Sequence, residues 1–255
     1  MSAFYQNMRD FVLQHGATNN SYLGWFRTGA LSDKELYDFA VEFYNFARFF
    51  PKILAAQLVN TEDEIIAAQL TEVLYSELGG GQSQHRHELL YRNFLRTIGI
   101  DIHGAIAKPM MPSTKAYIDG MEELYSSVNN EQALGASFGL ENMAITMWDH
   151  LIPGLTTLKN ARLPHMDLSY FTFHRELEAG HEEAMKTAVV ALEEHASEEG
   201  DLSHQERLNF HDGVTKVLNF LEGFWMGLEH MRMTDIHSRQ KPLSGGIECT
   251  IRTMA

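Results

Sequence analysis

The chain has 255 residues, 44% of them apolar, and a formal net charge of −14. The apolar content supplies a full core and excludes extensive disorder, while the acidic balance, with no clustered Lys/Arg stripe, excludes a phosphate backbone as the natural partner. No apolar run approaches the roughly 18 residues that span a bilayer, MSAFYQNMRDF lacks the charged and apolar regions of a signal peptide, and a lone cysteine, Cys249, excludes a disulfide framework. A soluble cytoplasmic protein is the expectation, with neither nucleic acid nor membrane as partner.

Helical periodicity runs the length of the chain, and strand alternation does not appear. A first helix is expected over about 3–15. Ser32-Asp33-Lys34-Glu35 reads as a capping box opening a helix to about Asn60. Thr61-Glu62-Asp63-Glu64 opens the next, to about Leu78, where Gly79-Gly80-Gly81 should break it. Helices over about 83–98, 113–127 and 131–159 follow. Pro153-Gly154 should kink or end the last of these. Two long helices, about 167–197 and Ser203 to about His237, are separated by Glu199-Gly200-Asp201. From about Ser238 the tail, with Pro242 and Gly245-Gly246, reads as irregular. With no repeat and no linker, residues 1–255 read as one all-α domain, a bundle of seven to eight helices.

The informative residues are polar ones on apolar stripes. Positions 3, 4 and 7 apart share a helix face. In the 167–197 helix the stripe is Tyr170, Phe171, Leu177, Met185, Val189 and Leu192, and His174, Glu178 and His181 lie on it. Titratable groups on a buried face are costly unless paired or metal-bound. A metal site and a hydrogen-bonded His–Glu–His cluster both answer that cost. In the 131–159 helix, Leu134, Phe138, Ile145, Trp148 and Ile152 form a stripe with Glu141 in its middle. That lone Glu reads as a ligand or as a structural partner of some Arg.

Glu77 continues the stripe of Ile66, Leu70, Val73 and Leu74. Beyond the glycines, His87 leads the stripe of Leu90, Tyr91, Phe94, Leu95 and Ile98, whereas His85 shares a face with Glu88, Leu89, Arg92 and Arg96. His87 is therefore the candidate and His85 is not. Along an unbroken helix Glu77 and His87 would point about 80° apart; a break lets both aim at one point, although the glycines also fit an ordinary C-cap. Three carboxylates and three imidazoles suit iron or manganese better than structural zinc. Six ligands match two metals rather than one. Two ferrous ions with three carboxylates leave a formal charge of +1, which tolerates an anionic substrate group. A ferritin-type site would show two Glu-x-x-His motifs; the chain has one of the required kind, Glu178-Ala-Gly-His181.

Four segments, GALSDKELYDFAVEFYNFARFFPKILA, SELGGGQSQHRHELLYRNFL, FGLENMA and YFTFHRELEAGH, resemble the haem-oxygenase-like di-iron oxidases and oxygenases over roughly residues 20–195. The resemblance implies a haem-oxygenase-like helical bundle. It implies Glu77, His87, Glu141, His174, Glu178 and His181 as metal ligands and catalytic centre, two Fe(II) as cofactor and O2 as co-substrate. Two departures stand out. The family's last motif usually carries Asp where this chain has Glu178. Leu140 precedes Glu141 where the para-aminobenzoate-forming members have tyrosine, and Tyr22 is out of register with the tyrosine they consume, so self-sacrifice is not expected.

The function expected is O2-dependent oxidation of a small metabolite in a biosynthetic pathway. An amino acid or amine derivative is the leading substrate, by N-oxygenation or oxidative C–C cleavage. Phe138, Trp148, Phe171, Phe173 and Met185 are candidate pocket walls, each of which also reads as ordinary core. An external electron donor and a homodimer are the partners the resemblance implies. The alternatives are a metal-free enzyme of the same fold, of the thiamin-salvage or quinone-forming type, and a fatty-acid decarboxylase of the same di-iron family.

Overall fold

A computed structural model describes residues 2–195 and 202–240, and every regular element in it is helical. In chain order these are α1 (Ala3–Gln14), α2 (Ser21–Phe26), α3 (Asp33–Ala47), α4 (Phe50–Asn60), α5 (Glu64–Glu77), a single 3-10 turn (Ser83–His85), α6 (His87–Thr97), α7 (Ile102–Ile106), α8 (Pro112–Tyr125), α9 (Asn130–Ala161), α10 (Ser169–His195) and α11 (His204–Gln240). The eight helices expected from periodicity become eleven because one divides and two short ones, α2 and α7, were not anticipated.

Local chemistry explains the boundaries. Ser32 Oγ accepts from the Glu35 amide while the Glu35 carboxylate accepts from the Ser32 amide, closing a capping box at α3. Ser203 and Glu206 close another at α11. The box expected at Thr61 does not form; Asp63 caps α5 instead, accepting from the amides of Ile65 and Ile66 at 2.8 and 2.9 Å. The expected helix to Asn60 divides after Ala47 because Pro51 would clash with the carbonyl four residues back, that of Ala47; placed in the first turn of α4 the proline is tolerated.

Pro153 does not end α9, which continues to Ala161. The helix gives up one hydrogen bond there and is held by packing against α10, α11, α8, α2 and α1. Gly154 serves that packing: a methyl at its position would collide with the carbonyl oxygen of Phe26 at the end of α2. The expected break at Gly79-Gly80-Gly81 is present, with φ of 97°, 58° and 81°. L-residues with side chains avoid that region.

α9 is the central helix, buried on all faces between Ala133 and Ala144. α11 covers one side of it and α10 another, and α10 in turn packs against α5 and α6. This sandwiching of α10 between α9 and the α5–α6 pair positions the polar cluster described next. The Glu199-Gly200-Asp201 separator lies outside the described residues. So do Cys249 and the expected irregular tail from residue 241 onward, while Ser238–Gln240 belong to α11.

A candidate metal centre

Glu77 ends α5, His87 begins α6, Glu141 lies mid-way along α9, and His174, Glu178 and His181 follow one another on α10. All six residues are buried, none more than 6% exposed. They form two groups, Glu77–His87–His174 and Glu141–Glu178–His181, and within each group one donor atom per residue lies within 4.8 Å of the others. His85 stays outside both, its ring tilted against Phe173 at a 5.0 Å centroid distance. The glycine turn brings Glu77 and His87 together: His87 Nδ1 lies 2.8 Å from Glu77 Oε2. His174 Nε2 is 3.6 Å from Glu77 Oε1, and His181 Nδ1 is 3.2 Å from Glu141 Oε2 and 3.8 Å from Glu178 Oε2.

The surroundings orient these groups. Trp148 donates its indole N–H to Glu178 Oε1 at 2.7 Å. His174 Nδ1 lies 2.8 Å from the Tyr170 carbonyl oxygen; a carbonyl can only accept, so Nδ1 carries a proton and the ring is held with Nε2 facing Glu77. Nε2 of His87, Nε2 of His181 and Oε2 of Glu178 have no hydrogen-bond partner although they are buried, and His87 Nδ1 has only its 2.8 Å ion-pair contact with Glu77. A single buried unsatisfied polar atom costs about 1–3 kcal/mol. Three such atoms, shared between the two groups, fit cations better than a hydrogen-bonded polar cluster.

The electrostatics follow. Burial pushes the Glu77 carboxyl up, but the His87 and His174 imidazoles outweigh it and hold the group well below the usual carboxylate range. Burial pushes Glu178 up, Glu141 adds to the effect, and His181, His174 and Trp148 only partly oppose it. Burial disfavours a charge on His181, yet its hydrogen bond and attraction to Glu141, with Glu178 behind, raise it to about 9. In the metal-free protein His181 is therefore the group that takes the proton beside Glu141 and Glu178.

A cavity with about 470 Å³ of empty space opens onto both groups. Its apolar walls are Phe43, Phe46 and Ala47 of α3, Phe50 of α4, Leu140, Met143, Ala144, Met147 and Trp148 of α9, and Tyr170 of α10. Of the five pocket residues expected from sequence, Trp148 is there and the others are not. Phe138 packs against Tyr5 and Phe210, Phe171 against Phe94 and Tyr170, and Met185 is buried in the core. Phe173 sits on the outer side of the centre, between His85 and His87. A shared stripe sets the direction of a side chain but not its height along the helix, and these residues lie a turn off or on the flank. Phe43, Phe46 and Phe50 carry a helical spacing of 3 and 4 that could have flagged them, and Leu140, Met143 and Met147 surround Glu141 in sequence.

A family model described as iron-containing redox enzyme matches residues 37–209. The chain belongs to that family. It is an oxidoreductase with the six buried ligand-type side chains inside the matched span, and carboxylates with imidazoles are the donor set iron takes in such proteins. Among curated proteins, this iron-containing redox enzyme is 26% identical over 220 residues to the 4-chloro-allylglycine synthase of Streptantibioticus cattleyicolor, covering 86% of this chain and 80% of that protein. Among solved structures it resembles a CADD-like protein of unknown function from Nostoc punctiforme, with a TM-score of 0.73 at 14% identity over 89% of this chain and 96% of the other. It also resembles a domain of unknown function with a heme oxygenase-like fold from Shewanella denitrificans, with a TM-score of 0.64 at 18% identity over 94% and 93% of the two chains. The fold is haem-oxygenase-like. No helix among the described residues is long and apolar enough to cross a membrane.

Proposed function

We propose that this enzyme holds two ferrous ions and uses O2 to oxidise a small amino acid or amine derivative. The carrying observation is that two separate groups of buried donors lie side by side and open on one apolar cavity. Glu77, His87 and His174 would hold one ion, and Glu141, Glu178 and His181 the other. The bound irons and O2 would supply the oxidising power. The residues of the chain do the rest. Trp148 and the Tyr170 carbonyl hold Glu178 and His174 in their ligand orientations. Phe43, Phe46, Phe50 and Met147 exclude water, so that oxidising equivalents reach substrate rather than solvent.

The charge balance and the relative support the substrate class. Two ferrous ions and three carboxylates sum to +1, so a substrate carboxylate meets no repulsion, and the cavity walls suit an apolar side chain. The relative's name is that of a synthase whose product is an amino acid. The test is O2 uptake by protein loaded anaerobically with Fe(II), with iron quantified per chain. About two irons per chain and uptake stimulated by amino acids or amines, not by medium-chain fatty acids, is the expected result. Stimulation by fatty acids alone overturns the substrate class. Failure to retain iron overturns the centre.

A further inference from the structure

A second cavity meets the same centre from outside. It lies at the surface between the end of α5, the glycine turn and the middle of α10. His181 lines both this cavity and the apolar one. It is 6% exposed, and its Nε2 has no hydrogen-bond partner. Both cavities have aromatic and aliphatic walls, Tyr75, Phe173 and Leu177 in the outer one, but the outer one lies at the surface and adds Glu72, His85 and Gln82 to its lining, polar residues outside the buried six. A hydrated dication cannot cross an apolar wall without losing its water unrepaid, but it can enter among such donors.

Gly180 gives independent support. It stands between Glu178 and His181 in the interior of α10, where glycine costs about 1 kcal/mol relative to alanine. Packing does not explain it. Methyl groups at Gly135, Gly154 and Gly213 would strike neighbouring backbone, whereas one at Gly180 would meet nothing within 4 Å. Gly180 lines the outer cavity. A side chain there would occupy the mouth leading to His181.

We propose that this outer cavity is the port by which divalent metal reaches the buried ligands, with Glu72 and His85 as transient donors at the rim and Gly180 keeping the mouth open. The proposal rests on the two-metal reading above. Hydration waters are exchanged in turn for rim donors and then for His181, so the ion is never left bare.

The probe is Co(II), mixed rapidly with metal-free protein and followed by its visible absorption, with stoichiometry measured at the end. Gly180→Leu should slow uptake about tenfold or more, equivalent to about 1.4 kcal/mol of added barrier, at unchanged final stoichiometry. His85→Ala should slow it by a smaller factor, also at full stoichiometry. Gly223→Leu, at an exposed α11 glycine equally free of neighbours, should match the parent. Thermal melting checks that the leucine variants are folded. Uptake by Gly180→Leu within about twofold of the parent, or a fall in its stoichiometry with no change in rate, overturns the port. Absence of Co(II) uptake by the parent protein overturns the metal reading, and the port with it.

Discussion

Trp148→Phe isolates one hydrogen bond at the centre. Phenylalanine keeps an aromatic ring against Phe43, Tyr170, Phe171 and His174, whose centroids lie 5.1–6.1 Å from the indole. It deletes the N–H that Glu178 Oε1 accepts at 2.7 Å. Glu178 Oε2 has no hydrogen-bond partner of its own, so the carboxylate loses its one side-chain donor. Hydrogen bonds to charged groups contribute about 1.5–3 kcal/mol, and that is the expected loss of stability in the metal-free protein at pH 8. At pH 6 the loss should be smaller. Burial and Glu141 already raise the Glu178 pKa, and Trp148 is one of the groups opposing them; without it the carboxyl takes a proton more readily, and a neutral carboxyl suffers less from the missing donor. Metal affinity should fall about 10- to 100-fold, as happens when a group orienting a ligand is removed. The assays are chemical denaturation in chelator at both pH values and competition with a metal-binding dye. Trp225→Phe is the control, since Trp225 is equally buried but its indole N–H has no partner. If the two variants lose the same stability with the same pH dependence and bind metal equally well, the orienting role assigned to Trp148 is wrong.

Three further outcomes are expected. His181 has a folded pKa of about 9 against an ordinary 6.5, so its contribution is complete below about 6.5 and is lost as pH rises through 9; the metal-free protein should lose up to about 3 kcal/mol across that window while the metal-induced rise in Tm grows, and a stability flat from pH 6.5 to 9 would contradict this. His181→Ala should lose bound iron at equilibrium whereas His85→Ala retains it, measured by elemental analysis of the dialysed proteins; equal loss would sink the distinction between the two faces. A methyl at Gly213 would collide with the Gln132 carbonyl where α11 crosses α9. Gly213→Ala should therefore cost about 1–3 kcal/mol in denaturant, while Gly223→Ala, in open space, stabilises by up to about 1 kcal/mol; matching values for the pair would refute the close-packing account.

The phase of each helix was legible in the amino-acid sequence, because a 3.6-residue period ties every side chain to its neighbours at 3, 4 and 7. That is why His87 could be separated from His85, and why His174, Glu178 and His181 could be read as one row. The glycine break was legible too, since three consecutive glycines have no competing reason to continue a helix. What periodicity could not supply was position along the axis and the identity of the facing helix. Phe138, Phe171 and Met185 share stripes with ligand-type residues, yet they pack into the core a turn away, and the cavity is walled instead by α3, α4 and the residues around Glu141. Pro153-Gly154 reads locally as a kink or a terminus; it is tolerated within α9 because surrounding helices hold that segment and because Gly154 admits the end of α2. The division of the six side chains into two groups was likewise a tertiary decision. His174 and His181 are seven residues apart on one face, but α10 runs between α5–α6 and α9, so the first meets Glu77 and His87 while the second meets Glu141. Side-chain direction is a local property of the backbone, and what a side chain meets depends on contacts between segments far apart in the chain.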